Sequence, residues 1–279
     1  MSVTISIFES LTARNPDIQH EEPDSYTLTR NDSFMWPKEL REWKEFNFQT
    51  LESMYGGDLM TVARQRNSTL LNYPDLTPDV DCIVYCEPTT QHILTKWSHT
   101  IVQAALTAVQ EKFNACNWSP HAGGRRRELD QRSTPVCDNS SPAETSPSQP
   151  ASSTIFKKLR IRRKPDSGGI LTCRTHGALC PSSSIERLPK DYKAAKKWKS
   201  SDVTTLLIDD KGRWKEGTSK DMSAMPIRQV YTYCVGYRCR YGCILTTEEA
   251  FIFRIKPRED DLGKNLVVIV VLKMFSHNS

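Results

Sequence analysis

The chain has 279 residues, 38% of them apolar, and a formal net charge of +5. That length admits one large domain or two small ones, and the modest apolar share points to a folded core accompanied by long polar segments. No run of about 18 apolar residues occurs, so no membrane-spanning helix is expected. The opening MSVTISIFES has no basic stretch leading into an apolar one, so no secretory signal is expected either.

Residues 1–75 are polar, with few periodic apolar positions, and read as largely disordered apart from short helices at Pro37–Phe46 and over 57–66. The first 56 residues are acid-rich, with Glu21, Glu22, Asp24, Glu39, Glu42, Glu45 and Glu52. Residues 72–81 hold prolines and aspartates and read as a loop. A helix is expected from Thr90 to Asn114, because Ile93, Trp97 and Ile101, then Leu94, Val102, Leu106, Val109 and Phe113, recur at helical spacing. Residues 118–153 contain an Arg triplet and SSPAETSPSQPASS, a composition that buries no core and reads as a disordered insertion.

From Ser153 the pattern becomes strand-like. Ile155, Leu159 and Ile161 alternate with cations into Lys164-Pro165-Asp166. Gly168-Gly169 marks a turn or bulge before a strand at Ile170–Cys173, and Ser184–Leu188 reads as a third strand running into Pro189-Lys190-Asp191-Tyr192-Lys193. Residues 200–217 are polar and without clear pattern. Pro226 opens a helix to about Tyr237. Strands are expected at Cys239–Leu245 and Ala250–Ile255, with another strand-length apolar run at Leu266–Leu272. This order describes an α/β domain over 76–279, a mixed sheet flanked by helices.

The chemistry-bearing set lies in the basic stretch. Cleaving a phosphodiester requires a divalent ion to generate hydroxide and neutralise charge on the phosphate. Magnesium takes hard oxygen ligands and keeps several waters, so two carboxylates and a carbonyl suffice. Asp166 ends one strand. Asp191 and Lys193 stand at i and i+2, which on a strand share one face, and the Tyr192 carbonyl offers a further oxygen. The same residues also fit a turn aspartate and a surface ion pair.

Lys164-Pro165-Asp166, then LPKDYKAAKKWKSSD, then PIRQVYTYCVGYRCRYGCILTTEEAFIFRI fall in an order that resembles a group of fungal proteins with a PD-(D/E)xK nuclease-like domain. The likeness covers about residues 164–256. It implies a restriction-endonuclease-like mixed sheet flanked by helices, and a metal-dependent nuclease using Mg2+ or Mn2+. Asp166 and Asp191 would be metal ligands, with the Tyr192 backbone carbonyl. Lys193 would be the catalytic lysine, and Gln229, one turn before Tyr233, would hydrogen-bond near the metal shell or the phosphate.

There are departures. The family places a glutamate on the first helix shortly before a Trp; ahead of Trp97 stand Leu94, Thr95 and Lys96, and the nearest acid, Glu87, precedes the expected helix. Lys190 replaces a usual glycine and Ser167 a usual aromatic. A catalytically degenerate module that binds nucleic acid or a protein partner is therefore the second reading, and an unrelated structural sheet a third.

Cations at Arg160, Arg162, Arg163, Lys196 and Lys197 would meet phosphates, so nucleic acid is the expected partner, DNA ahead of RNA. The Lys157–Lys164 run also fits a nuclear-localisation signal, and Cys173, His176 and Cys180 have ligand-like spacing for zinc. Nine scattered cysteines fit reduced thiols in an intracellular protein, nuclear or cytoplasmic, with Cys234, Cys239 and Cys243 as small core residues.

Overall fold

Strands with alternate residues buried on opposite faces need a helical layer on each side, and the chain supplies both. The computed structural model describes residues 13–61 (24 and 59 apart), 71–113 (73 apart), 117–119, 165–171, 185–257 and 265–273, with fragments at 4–5, 9, 174–175 and 178–179. The main sheet has seven strands: β1 (Glu39–Glu42), β2 (Asn117–Ser119), β3 (Ser167–Leu171), β4 (Ile185–Tyr192), β5 (Tyr241–Leu245), β6 (Glu249–Pro257) and β7 (Asn265–Lys273). Their order across the sheet is β1-β7-β6-β5-β4-β3-β2. The β4/β5 and β1/β7 pairs are parallel and the others antiparallel, so the sheet is mixed.

Helix α1 (Glu87–Leu94) continues through a π-helical turn, Thr95–His99, into α2 (Thr100–Phe113). This run covers one face of the sheet, where Ile93, Leu94 and Trp97 pack with Tyr192, Cys243, Leu245 and Ala250. Helix α3 (Met225–Tyr237), with Pro226 in its first turn, joins β4 to β5 and covers the other face. There Ile227, Val230, Tyr231 and Cys234 pack with Ile244, Phe251 and Phe253. The split of Cys243 and Leu245 from Ile244, and of Ala250 from Phe251, is the strand alternation made visible. All eleven buried residues of α3 leave it almost no solvent face, so it is a core helix rather than an amphipathic surface one.

Gly242 permits the close approach of α3. A Cβ there would lie 2.7 Å from Cys234 Sγ and 2.6 Å from the Phe253 ring. Pro189, within β4, gives up one ladder hydrogen bond. The β4–β3 register shifts just before it, between Glu186 and Leu188, and bulges are where a strand tolerates proline.

The N-terminal segment departs from the expectation of disorder. Ile18, Leu28, Phe34, Leu40 and Trp43 are buried, and the stretch expected as a helix at Pro37–Phe46 contains the edge strand β1. Buried polar side chains hold it. Arg228 donates from Nε to the Phe34 carbonyl (3.1 Å) and from its terminal nitrogens to the carbonyls of Phe34, Asp32 and Ser219. The Met35 N–H donates to Thr232 Oγ1 (2.8 Å), and Trp214 Nε1 to the Pro37 carbonyl (2.8 Å). A scan for local periodicity cannot detect partners almost 200 residues away.

The remaining corrections are smaller. The helix expected over 57–66 starts earlier, at Phe48, and Pro78–Asp81 forms a helical turn inside the expected loop. Trp118 and Ser119 belong to β2, and Trp118 packs against the core, so the expected insertion does not begin at 118. Residues 120–153, the strand expected at 155–164, and Cys173, His176 and Cys180 lie outside the described residues. Leu40 is 1% exposed in the core beneath α3. Leu40→Ala should therefore destabilise the protein by about 2–5 kcal/mol, seen as a lower denaturant midpoint. An unchanged midpoint would mean that β1 is not part of the fold.

Candidate active site

The parallel strands β4 and β5 end side by side, and the polar groups of both helical layers converge at the carboxyl end of β4. Asp191 pairs with Ile244 and so faces α3. Lys193, two residues on and just past the strand, faces the same way. The expected surface ion pair is not what forms: Asp191 is 0% and Lys193 2% exposed.

Lys193 Nζ lies 2.6 Å from Asp191 Oδ2 and 3.1 Å from Glu87 Oε1, and donates to the Tyr192 carbonyl at 3.0 Å. Gln229 Nε2 donates to Asp191 Oδ1 (2.9 Å) and to the Tyr233 hydroxyl (3.0 Å). One turn of α3 thus fixes both the amide and its anchor. Asp191 Oδ2 is paired with the Lys193 ammonium, a charge-assisted contact at 2.6 Å. Asp166 precedes β3, and its Oδ2 accepts the Tyr192 N–H at 3.0 Å. That bond ties the loop before β3 to the end of β4.

The electrostatics follow from burial. Asp191 is pushed up to about 7, first by loss of water and then by the nearby Asp166 and Glu87 carboxylates, against the pull of Lys193. Burial alone would lower the Lys193 ammonium, but Asp191 and Glu87 outweigh it and hold the lysine above its ordinary value. Tyr233 is raised to about 12, mainly by burial and then by the Asp191 charge.

Glu87 is the site residue that sequence reading placed outside the helix. It is the first residue of α1, not a residue ahead of it. The available signal was Pro88: proline favours the first turn of a helix, which sets the start three residues earlier than Thr90. Thr89 Oγ1 accepts the Cys86 N–H at 3.1 Å and closes that end. Behind it, buried Asp81 accepts from Lys96 Nζ, from His92 Nε2 and from the Thr77 N–H, each at 2.6 Å. Those partners, Lys96 first, hold its carboxyl well below the usual range.

The two departures at the site point away from it. Lys190 pairs with Cys243, and its ammonium sits 3.8 Å from the Trp118 ring centroid on the α1/α2 face. Ser167 donates to the Tyr192 hydroxyl (3.0 Å) on that same face. Neither side chain meets Gln229 or Lys193.

For a hard divalent ion, the residues offer Asp191 Oδ2, Glu87 Oε1 and the Tyr192 carbonyl, an all-oxygen set with two carboxylates, and such a set suits Mg2+ or Mn2+. Among the described residues no three His, Cys, Asp or Glu side chains are grouped to hold a metal, so waters would have to complete any such shell. Of the expected phosphate-binding cations, Lys196 is in an ion pair with Glu22, and Lys197 is partly buried beside it. Arg160, Arg162 and Arg163 lie outside the described residues. No described helix is long and apolar enough to cross a membrane.

No family model, curated protein or solved structure matches the chain. The likeness to PD-(D/E)xK proteins therefore rests on the residues named above.

The raised Asp191 has a consequence for stability. Its native pKa exceeds the ordinary 3.8, so the folded state binds the proton more tightly than the unfolded chain. The stabilisation is complete below about pH 3.8 and is lost as pH rises through about 7. Asp191→Asn, which cannot ionise, should gain stability relative to the parent across that window and level off above it. Urea midpoints of both proteins at about pH 4.5 and about pH 8 check this. A pH-independent difference would mean that Asp191 titrates normally.

Proposed function

We propose that this chain is a metal-dependent phosphodiesterase of the PD-(D/E)xK nuclease-like type, acting on nucleic acid, DNA ahead of RNA. Its mixed sheet would then be of the restriction-endonuclease-like kind. One observation carries the reading: Glu87 from α1, Asp191 and Lys193 from β4 and its end, and Gln229 from α3 meet in one cluster, buried except at Glu87. These groups come from separate parts of the chain and include a helix glutamate, Glu87, at the start of α1. A surface ion pair needs none of this convergence.

In this reading Asp191, Glu87 and the Tyr192 carbonyl would hold a Mg2+ or Mn2+ ion, with Asp166, which accepts the Tyr192 N–H, beside them. Bound there, the ion would activate a water as the nucleophile and neutralise charge on the phosphate. Gln229 fixes the rotamer of Asp191, and Tyr233 fixes Gln229. The Lys193 ammonium stabilises the charge that develops on the phosphate. Lys196 and Lys197, with Arg160, Arg162 and Arg163, would hold the nucleic-acid backbone without regard to sequence. An intracellular, nuclear or cytoplasmic location would suit such a substrate.

A second reading has its own observation. Lys193 already contacts every oxygen that an ion would use, as expected of a fold that kept the cluster for stability and binds its partner without cleavage.

Plasmid and single-stranded substrates with Mg2+ or Mn2+ separate the two. Cleavage should appear with metal and vanish with chelator. Asp191→Asn and Lys193→Ala should each lower it by roughly a hundredfold or more, with Glu87→Gln also impaired. Binding without any cleavage would favour the degenerate module. Independently, Lys197→Ala should weaken oligonucleotide binding for all sequences alike and reduce the salt dependence by about one unit of slope. A salt-independent affinity would remove the phosphate-contact role.

A further inference from the structure

We propose that the Lys193 ammonium holds the cation's place in the resting protein, so that a divalent ion enters only by displacing it. The inference rests on the metal-dependent reading of the site and adds how loading is controlled.

An ammonium has three N–H donors and no acceptor. The Lys193 ammonium meets three oxygens: Asp191 Oδ2 at 2.6 Å, Glu87 Oε1 at 3.1 Å and the Tyr192 carbonyl at 3.0 Å. This is the same all-oxygen set that a hard divalent ion would require. The shortest of the three is the charge-assisted contact to Asp191 Oδ2, and an ion taking the ammonium's place would keep that oxygen paired with a cation. The lysine is 2% exposed, so water does not screen it from an incoming ion. Two cations sharing these oxygens would repel strongly in so buried a place. The ammonium must therefore swing out as the ion arrives. The open side is at Glu87, whose side chain is 36% exposed while Asp191 is 1%. Leaving past Glu87 puts the displaced ammonium on the side from which a phosphate would approach, so one residue serves as placeholder and then as phosphate partner.

The test uses the full chain and Mn2+ as the probe, with calorimetry and the electron-spin signal of free Mn2+ as readouts. Lys193→Met keeps the apolar stem and removes the charge. It should bind Mn2+ at least tenfold more tightly than the parent, and Asp191→Asn added to it should abolish that binding. Lys193→Gln serves as a second variant should the first not fold. On the unaltered protein, an amine-acylating reagent with mass-spectrometric readout should label Lys193 slowly without metal and several-fold faster with saturating Mn2+. If the parent binds Mn2+ and the lysine variants bind no more tightly, with labelling unchanged by metal, the placeholder role is wrong while the metal site stands. If no form binds Mn2+, the metal-dependent reading falls and the placeholder with it.

Discussion

Asp191 and Lys193, 0% and 2% exposed, sit 2.6 Å apart where β4 ends, and a charged pair out of reach of water must be satisfied by protein. Desolvating each ion costs several kcal/mol, and the mutual attraction offsets this only with good geometry and further polar partners. The partners here are the Gln229 amide, the Glu87 carboxylate and the Tyr192 carbonyl. Each must be delivered from a different element. The need to complete this cluster therefore constrains where α1 begins, how closely α3 lies on the sheet, and where β4 stops.

Separate local devices meet those constraints. Asp81, bonded to Thr77, His92 and Lys96, fastens the approach to α1 onto the helix's own second turn and so places Glu87. A glutamate in the first turn also suits the positive end of the helix dipole. On the other face, Gly242 lets α3 settle close to β5, and Gln229 then reaches Asp191 on the adjacent β4. Arg228, next to Gln229 in sequence and about 100° around the helix, gathers the carbonyls of residues 32 and 34. A single helix thereby organises both the charged cluster and the attachment of the N-terminal segment. Trp198 completes that side: its ring meets Phe251 edge-on at 5.7 Å, and its Nε1 donates to the Ser223 carbonyl at 2.9 Å.

The alternation of strand side chains explains why substitutions next to Asp191 need not disturb it. Lys190 and Tyr192 flank the aspartate in sequence yet belong to the opposite layer, under Trp118 and the α1/α2 run. There a cation lies over an indole ring, and the Ser167 hydroxyl meets the Tyr192 hydroxyl. The polar cluster on one face of β4 is thus independent of the side chains packed on the other. The catalytic and degenerate readings thus turn on whether the ammonium can leave the carboxylates, and not on those two substitutions.

Elements with strong local signals were legible from the amino acids alone. The periodicity of Ile93, Trp97 and Ile101 marked the α1–α2 run, Pro226 marked the start of α3, and strand-like runs bounded by turn residues marked part of β4, β5 and β6. The i, i+2 spacing placed Asp191 and Lys193 on one face, because a strand's side-chain period is set by its backbone geometry. The acidic, polar segment before residue 75 carried no comparable signal. The stretch around residues 34–37 is held by bonds to Arg228, Thr232 and Trp214, and such long-range partners leave no trace in local composition. The burial of the ion pair was equally hidden, since a D-x-K reads the same on a surface as in a core. Tertiary structure alone decided that Glu87 reaches Lys193 and that Gln229 reaches Asp191. Both contacts depend on how two helical layers and the sheet end dock together, a property of packing that no single segment encodes.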